Sequence, residues 1–335
     1  MDFVESFREH IKGSGANFEF RLNDALVAEG QRRGREFTDA EDVRTYLQST
    51  TLGPLRDRIA RTQQEMQWNV LWRSLDEQRE ALERELEDWT NKGPGTLTLD
   101  PNVEVPPYLN VEFHIQPGGY HKDSLSGLLY HYGTTVFFRL SDDPDGLNGK
   151  IVSAVPKPVD GRVSRVLDMA CSIGQSSTAL KRHFPESEVW AIDYSAPMLR
   201  TAHRRAAMQE VNVNFKQALA ESTGFPDDHF DVTFAFLLFH ELPQRVIEET
   251  LKEVARVTRP GGMFVLYDFA PSKGMTPWQH YHRWFDARHN NEPYSQDFCD
   301  CDFDTLLTSF GFKVTPDNTP KGSAGYLRHW FTTNA

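Results

Sequence analysis

Between Leu55 and Trp89 the apolar residues fall at helical spacing. Trp68, Leu71, Trp72, Leu75, Leu82, Leu86 and Trp89 recur at intervals of three, four and seven and mark one face of an amphipathic helix. Asp76, Glu77, Arg79, Glu80, Glu83, Arg84, Glu85 and Glu87 fill the opposite face, where charges three and four apart support each other. Upstream, Thr38-Asp39-Ala40-Glu41 has the layout of a helix start, a small polar cap followed by an acid. Residues 1–107 are therefore expected to be a helical subdomain that packs as a lid or joins two copies in a homodimer. Its tail, 91–107, is rich in Gly and Pro and reads as a connector.

The texture then changes twice. Residues 108–150 are dense in aromatic and polar side chains and end in the turn-rich joint 141–150. From Arg162 onward, short apolar strands alternate with amphipathic helices, which predicts βαβ units. The expected fold is α/β, a mostly parallel Rossmann-like sheet with helices on both faces. The third region is drawn as 151–335.

Composition narrows the class. The chain of 335 residues is 39% hydrophobic and 25% charged, and its formal net charge is −12. That charge argues against nucleic acid, which calls for a basic stripe. The longest apolar runs fall short of a membrane span, and the start MDFVESFREH lacks the layout of a signal peptide, so a cytoplasmic protein without a membrane partner is expected. Three cysteines make a disulfide framework a poor fit. Cys299 and Cys301 have the wrong spacing for a zinc pair, and no metal is expected.

The chemistry starts at 165–174. Arg165–Met169 is a buried strand that runs into a turn of small residues, Ala170, Cys171, Ser172 and Gly174, with Asp168 just ahead of it. Small side chains at a strand's C-terminal end let a ligand approach the backbone. A second strand, Glu188–Ile192, ends in Asp193, at the distance where an acid meets a ribose hydroxyl. A dinucleotide site wants glycine at three positions for its pyrophosphate, but this turn has one. S-adenosylmethionine carries no phosphate, so the methyl donor fits better.

These segments resemble the class I methyltransferases, over roughly residues 162–335. The resemblance implies S-adenosylmethionine as cofactor. The turn Asp168–Gly174 would meet its methionine part, Asp193 and Tyr194 its ribose, and Met198, Ala220 and Glu221 its adenine, with Phe236 nearby. The family often has an Asp where this chain has Leu219, which leaves the adenine amino group to Glu221 or a backbone carbonyl. Asp231–Phe239, Met263–Tyr267 after the turn Arg259–Gly262, and 306–314 are similar to the family's later strands and last helix.

The acceptor is expected to be a small molecule. Candidate substrate residues are His114, Gln116, Tyr120, Tyr130, His131 and Tyr132 ahead of the cofactor region, and Trp278, His282 and Tyr294 behind its fifth strand. His240, Glu241 and His121 are candidate general bases for an oxygen or acidic-carbon acceptor; a thioether sulfur would need none. The layout also resembles bacterial S-methyltransferases acting on 4-methylthio-2-hydroxybutyrate on the way to dimethylsulfoniopropionate, which would call on Arg139, Arg283 or Arg288 for the carboxylate. O- or C-methylation of a natural product or isoprenoid-like metabolite is the alternative. A non-catalytic scaffold that keeps the fold is the competing class.

Overall fold

A computed structural model of the chain describes residues 18–138, 146–314 and 326–332, with position 6. Arg139, residues 141–145 and nearly all of the first ten residues lie outside the described residues. Four helices open the described chain: α1 (Phe18–Arg32), α2 (Ala40–Ser49), α3 (Leu52–Asp76) and α4 (Arg79–Trp89). The helix start read at Thr38–Glu41 is present, but its cap is Asp39, one position after Thr38, which accepts the backbone N–H of Asp42. The single amphipathic stretch to Trp89 is two helices. It breaks at Glu77-Gln78, so Trp68, Leu71, Leu75 and Leu86 share one buried cluster while Trp72 is left partly exposed.

Strand β1 (Thr96–Thr98) lies inside the segment read as a connector. It pairs in parallel with Asn214–Lys216 at the sheet edge. Helices α5 (Ser126–Phe138) and α6 (Gly146–Val152) follow, then β2 (Arg165–Met169), α7 (Gln175–His183), β3 (Glu188–Asp193), α8 (Ala196–Met208) and β4 (Asn214–Gln217). The remainder is β5 (Phe230–Phe236), α9 (Gln244–Val257), β6 (Thr258–Asp268), α10 (Pro277–His289), α11 (Ser295–Asp300), α12 (Phe303–Ser309), β7 (Phe312–Val314) and β8 (Tyr326–Thr332). The eight strands form one sheet in the order β1-β4-β3-β2-β5-β6-β8-β7, parallel from β1 to β6, with β8 antiparallel to both β6 and β7. The turn expected at Arg259–Gly262 is absorbed into β6, whose pairing with β5 shifts register between Phe230 and Val232.

The central strands are buried on both faces, which is why they read as unbroken apolar runs. One face packs Phe239, Phe264, Phe303 and Trp330 with α9, the other packs Val166, Ala191, Leu199 and Phe215 with α7 and α8. Each Val, Leu or Phe among them contributes about 1.5–3 kcal/mol on burial. Strand order reverses around β2, with β3 on one side and β5 on the other. Ligands of open α/β sheets bind at such a switch point, outside the carboxyl ends of the strands. None of the described helices is long and apolar enough to cross a membrane.

Candidate active site

A cleft open at its mouth lies at the carboxyl ends of β2, β3, β4 and β5. The turn after β2 forms one wall. Ala170 and Ser172 take positive φ of 52° and 50°, and Gly174 takes 76°. A Cβ at Gly174 would press on Ala202 at 2.9 Å, so glycine is needed there for both backbone and packing. The turn is tied to β3: Cys171 N–H donates to the Ile192 carbonyl at 2.8 Å and Ser172 N–H to Asp193 Oδ2 at 2.9 Å.

Asp193 also accepts the Ser195 N–H at 2.9 Å; burial nevertheless pushes its carboxyl up to about 6. Asp168 stands behind the turn. Its Oδ2 accepts the Ser176 and Ser177 hydroxyls at 2.7 and 2.6 Å, its Oδ1 has no partner, and burial pushes it up to about 7. Met198, Tyr194, Leu219, Ala220, Glu221 and Phe236 line the cavity. Glu221 Oε1 accepts the Tyr108 hydroxyl, while its Oε2 is buried without a hydrogen bond.

The opposite end is ionisable. After β5 the chain turns through Leu237, at φ 53°, into Phe239–Glu241. Asp268 closes β6 and accepts the Phe239 N–H at 2.8 Å; its Oδ1 meets His240 Nδ1 at 2.7 Å. His240 is thereby buried behind the cavity. Burial opposes its charge, but the Asp268 and Glu292 carboxylates outweigh that and hold it up at about 9. Glu241 lines the cavity and accepts the Tyr120 hydroxyl at 2.9 Å. Burial and the neighbouring Glu292 push it up to about 7.

His114 completes the group. Its backbone is left-handed at φ 54°, a conformation held because Gln64 Nε2 and Trp68 Nε1 donate to its carbonyl at 2.9 and 2.7 Å. Its Nδ1 lies 2.7 Å from Glu292 Oε1 and its Nε2 3.8 Å from Glu241 Oε1. Burial works against a charged ring, yet those two carboxylates raise it to about 9.

The other candidates fall in several places. Tyr120 and Tyr130 line the cavity, their rings edge to face at 5.5 Å. Gln116 is buried and donates to the Gly119 and Ser126 carbonyls, holding the turn that presents Tyr120. Tyr294 donates to the Tyr108 carbonyl and packs beside Phe113. His121 packs against Tyr194, 5.8 Å between centroids, outside the Glu241 group; burial and Lys122 hold it below the usual histidine range. His131 lies against Tyr132, which is 46% exposed. Trp278 and His282 belong to a helical cluster: Trp278 donates to Asp24 and stacks on Tyr281, with the His282 ring 4.3 Å away. Asp268 and Tyr108 were not among the candidates, and Glu292 entered only through its stretch, two positions before the candidate Tyr294 behind the fifth strand. Asp268 had a signal, a single acid closing the apolar strand Met263–Tyr267.

Residues 166–262 match the family model described as a methyltransferase domain. The chain is 35% identical to the demethylmenaquinone methyltransferase of Thermus thermophilus over 121 residues, 35% of this chain and 53% of that protein. It is 38% identical to a ubiquinone/menaquinone biosynthesis C-methyltransferase of Azotobacter vinelandii over 119 residues, 34% of this chain and 46% of that one. The chain thus spans about half the length of the curated relatives it matches. Among solved structures, human N-acetylserotonin methyltransferase in complex with SAM aligns with TM-score 0.47 and 13% identity over 64% of this chain and 57% of that one. A SAM-dependent methyltransferase of Methanosarcina mazei aligns with TM-score 0.42 and 18% identity over 52% and 94%. Residues 166–262 accordingly match a methyltransferase domain, within a chain similar over about a third of its length to quinone-biosynthesis methyltransferases.

Proposed function

We propose that the whole protein transfers the methyl group of S-adenosylmethionine to a small molecule, at an oxygen or an acidic carbon. The turn Ala170–Gly174 offers small residues to the methionine part. Asp193 accepts from the ribose, and Met198, Ala220 and Glu221 surround the adenine. The acceptor stands between the sulfonium and the wall made by Tyr120, Tyr130 and Glu241. Transfer is an in-line displacement, so the wall's first task is to hold the acceptor's lone pair behind the methyl carbon.

The position of Glu241 carries this reading. It lines the cavity with its Oε1 held by Tyr120 and sits against the His114–Glu292 pair. A hydroxyl or acidic C–H must lose its proton as the new bond forms, and a carboxylate in that wall accepts it. A thioether loses no proton and needs no base. The cavity lining also contains no Arg or Lys among the described residues, so a substrate carboxylate such as that of 4-methylthio-2-hydroxybutyrate lacks its cation there. Arg283 lies over the Phe269 ring and Arg288 is exposed. Relatives named as quinone-biosynthesis C-methyltransferases support an acceptor of the hydroxy-aromatic kind. The bonds from Gln64 and Trp68 to the His114 carbonyl support a lid role for the N-terminal helices.

The test is a competition between acceptors with methyl-labelled cofactor. A hydroxy-aromatic such as a naphthoquinol should be labelled on oxygen or carbon, and 4-methylthio-2-hydroxybutyrate should not. Labelling of the thioether alone overturns the reading.

A further inference from the structure

His114, Glu241 and Glu292 come from three separate parts of the chain, the turn Phe113–Ile115, the turn after β5 and the segment after α10. One ligand atom from each lies within 4.8 Å of the other two. Glu292 is fully buried, and its Oε2 has no hydrogen-bond partner; His240 Nε2 stands 4.0 Å from it. Five ionisable groups meet here, the carboxylates of Glu241, Glu292 and Asp268 and the imidazoles of His114 and His240. A buried carboxylate oxygen without a donor is costly and calls for a cation.

The geometry points to a divalent transition-metal site held by His114, Glu241 and Glu292, with His240 Nε2 at its edge. Imidazole and carboxylate donors together suit ions such as Mn²⁺, Fe²⁺ and Zn²⁺. Three ligand atoms within 4.8 Å of one another can hold an ion about 2.0–2.2 Å from each after side-chain adjustment. Asp268 fixes His240 through Nδ1 and turns Nε2 toward Glu292, the way a carboxylate orients a metal-binding imidazole. The site uses none of the cysteines whose spacing argued against a metal.

Glu241 belongs to both the cluster and the cavity wall, so an acceptor oxygen can complete the ion's shell. A metal ion bound there supplies Lewis acidity that makes an acceptor hydroxyl easier to deprotonate. What the ion does rests on the proposed methyl transfer, but its binding does not.

Binding is therefore measured with neither cofactor nor acceptor. The full chain, stripped with a chelator, is titrated with Mn²⁺ and the free ion is followed by electron paramagnetic resonance. One equivalent should bind, and His114→Ala and Glu292→Gln should each weaken it roughly tenfold or more. Glu248→Gln, on the exposed side of α9, should leave it unchanged. Absence of binding at about 1 mM Mn²⁺ overturns the site, as does binding that ignores both variants. If circular dichroism shows that Glu292→Gln does not fold, His114→Ala and Glu241→Gln decide the same question. Bound Mn²⁺ without methylation of any acceptor would defeat the proposed function and leave the site standing; methylation without Mn²⁺ binding would do the reverse.

Discussion

The Tyr120 hydroxyl donates to Glu241 Oε1 over 2.9 Å and so joins the aromatic segment ahead of α5 to the turn after β5. The Tyr120 ring is held independently, stacked on Phe113 at 5.6 Å and edge-on to Tyr130. Tyr120→Phe keeps that packing and removes only the donor. We expect kcat to fall roughly tenfold while the dissociation constant of S-adenosylhomocysteine stays within about twofold, because the lost bond is worth about 1–2 kcal/mol and lies at the acceptor end. Steady-state rates and calorimetry check this. A weakened cofactor with an intact kcat would mean that Tyr120 belongs to the other end of the cavity.

Asp193 should govern cofactor binding. Asp193→Ala is expected to cost about 1–3 kcal/mol of affinity through the loss of a charge-assisted hydrogen bond to the ribose. Its pH dependence has a definite sign. Burial raises the free carboxyl to about 6, and a ribose hydroxyl donates to the ionised form. Cofactor affinity should therefore be flat above pH 6 and fall as pH drops through it, approaching tenfold per unit. Calorimetric titrations from pH 5 to 8 check the slope, and the alanine variant should lose it.

Glu221 should replace the acid that Leu219 lacks. Its Oε1 is taken by the Tyr108 hydroxyl, and its buried Oε2 faces the cavity lining without a partner. Glu221→Leu should weaken S-adenosylhomocysteine by about 1–3 kcal/mol, because an amino group left without an acceptor loses a bond to a charged partner. Binding of the inosine analogue, which has no amino group, should change far less. Equal losses for the two ligands would assign Glu221 to structure alone.

Much of this was legible in the chain because the signals were local. The turn Ala170–Gly174 and the acid at Asp193 lie within one βαβ unit, and strand and turn chemistry encode them directly. The helix start at Thr38–Glu41 was equally local, although the cap itself is Asp39. The helix break at Glu77-Gln78 was missed because the apolar period runs through it without a Gly or Pro to mark it. Thr96–Thr98 was missed because three residues are too few to show alternation, and the strand exists only through its pairing with β4. The ionisable cluster was half seen. His114, His240 and Glu241 stood out as residue types, but Glu292 is 178 positions from His114 and 51 from Glu241, and only the packing of α10 brings it to them.

Asp231 should anchor the fold beneath the site. It accepts from Arg259 Nε at 2.6 Å, Arg162 Nε at 2.9 Å and the Ser164 and Arg165 backbone N–H groups. Burial pushes its carboxyl up, but these donors outweigh it and hold it below the usual range. Because the folded value lies below the unfolded one, the stabilisation is complete above the unfolded pKa of about 4 and is lost as pH falls through the folded value. Asp231→Ala should cost about 1–3 kcal/mol near neutrality, since it removes the buried acceptor of Arg259 Nε and of the Ser164 and Arg165 N–H groups and leaves Arg259 with Asp160 alone as its acid. Denaturant unfolding should show the gap between variant and parent closing below about pH 4.

Gly133 tests whether the helices of the first ninety residues shape the site as well as the stability. It lies on α5 where a Cβ would overlap the ring carbons of Trp68, a side chain only 2% exposed on α3. Trp68 cannot yield without consequence, because its Nε1 bond to the His114 carbonyl helps to hold the left-handed backbone that presents the imidazole to Glu241 and Glu292. Gly133→Ala should thus cost about 1–3 kcal/mol by overpacking. In the folded fraction it should also lower kcat more than it weakens the cofactor, since Asp193 and the Ala170–Gly174 turn are untouched. The neutral comparison is Gly161→Ala, at a position with open space around it but φ of 71°, which carries backbone strain and no contact with Trp68. Equal stability losses with kcat reduced only in Gly133→Ala would show the helix contact reaching the chemistry. An unchanged kcat in both would confine the N-terminal helices to packing.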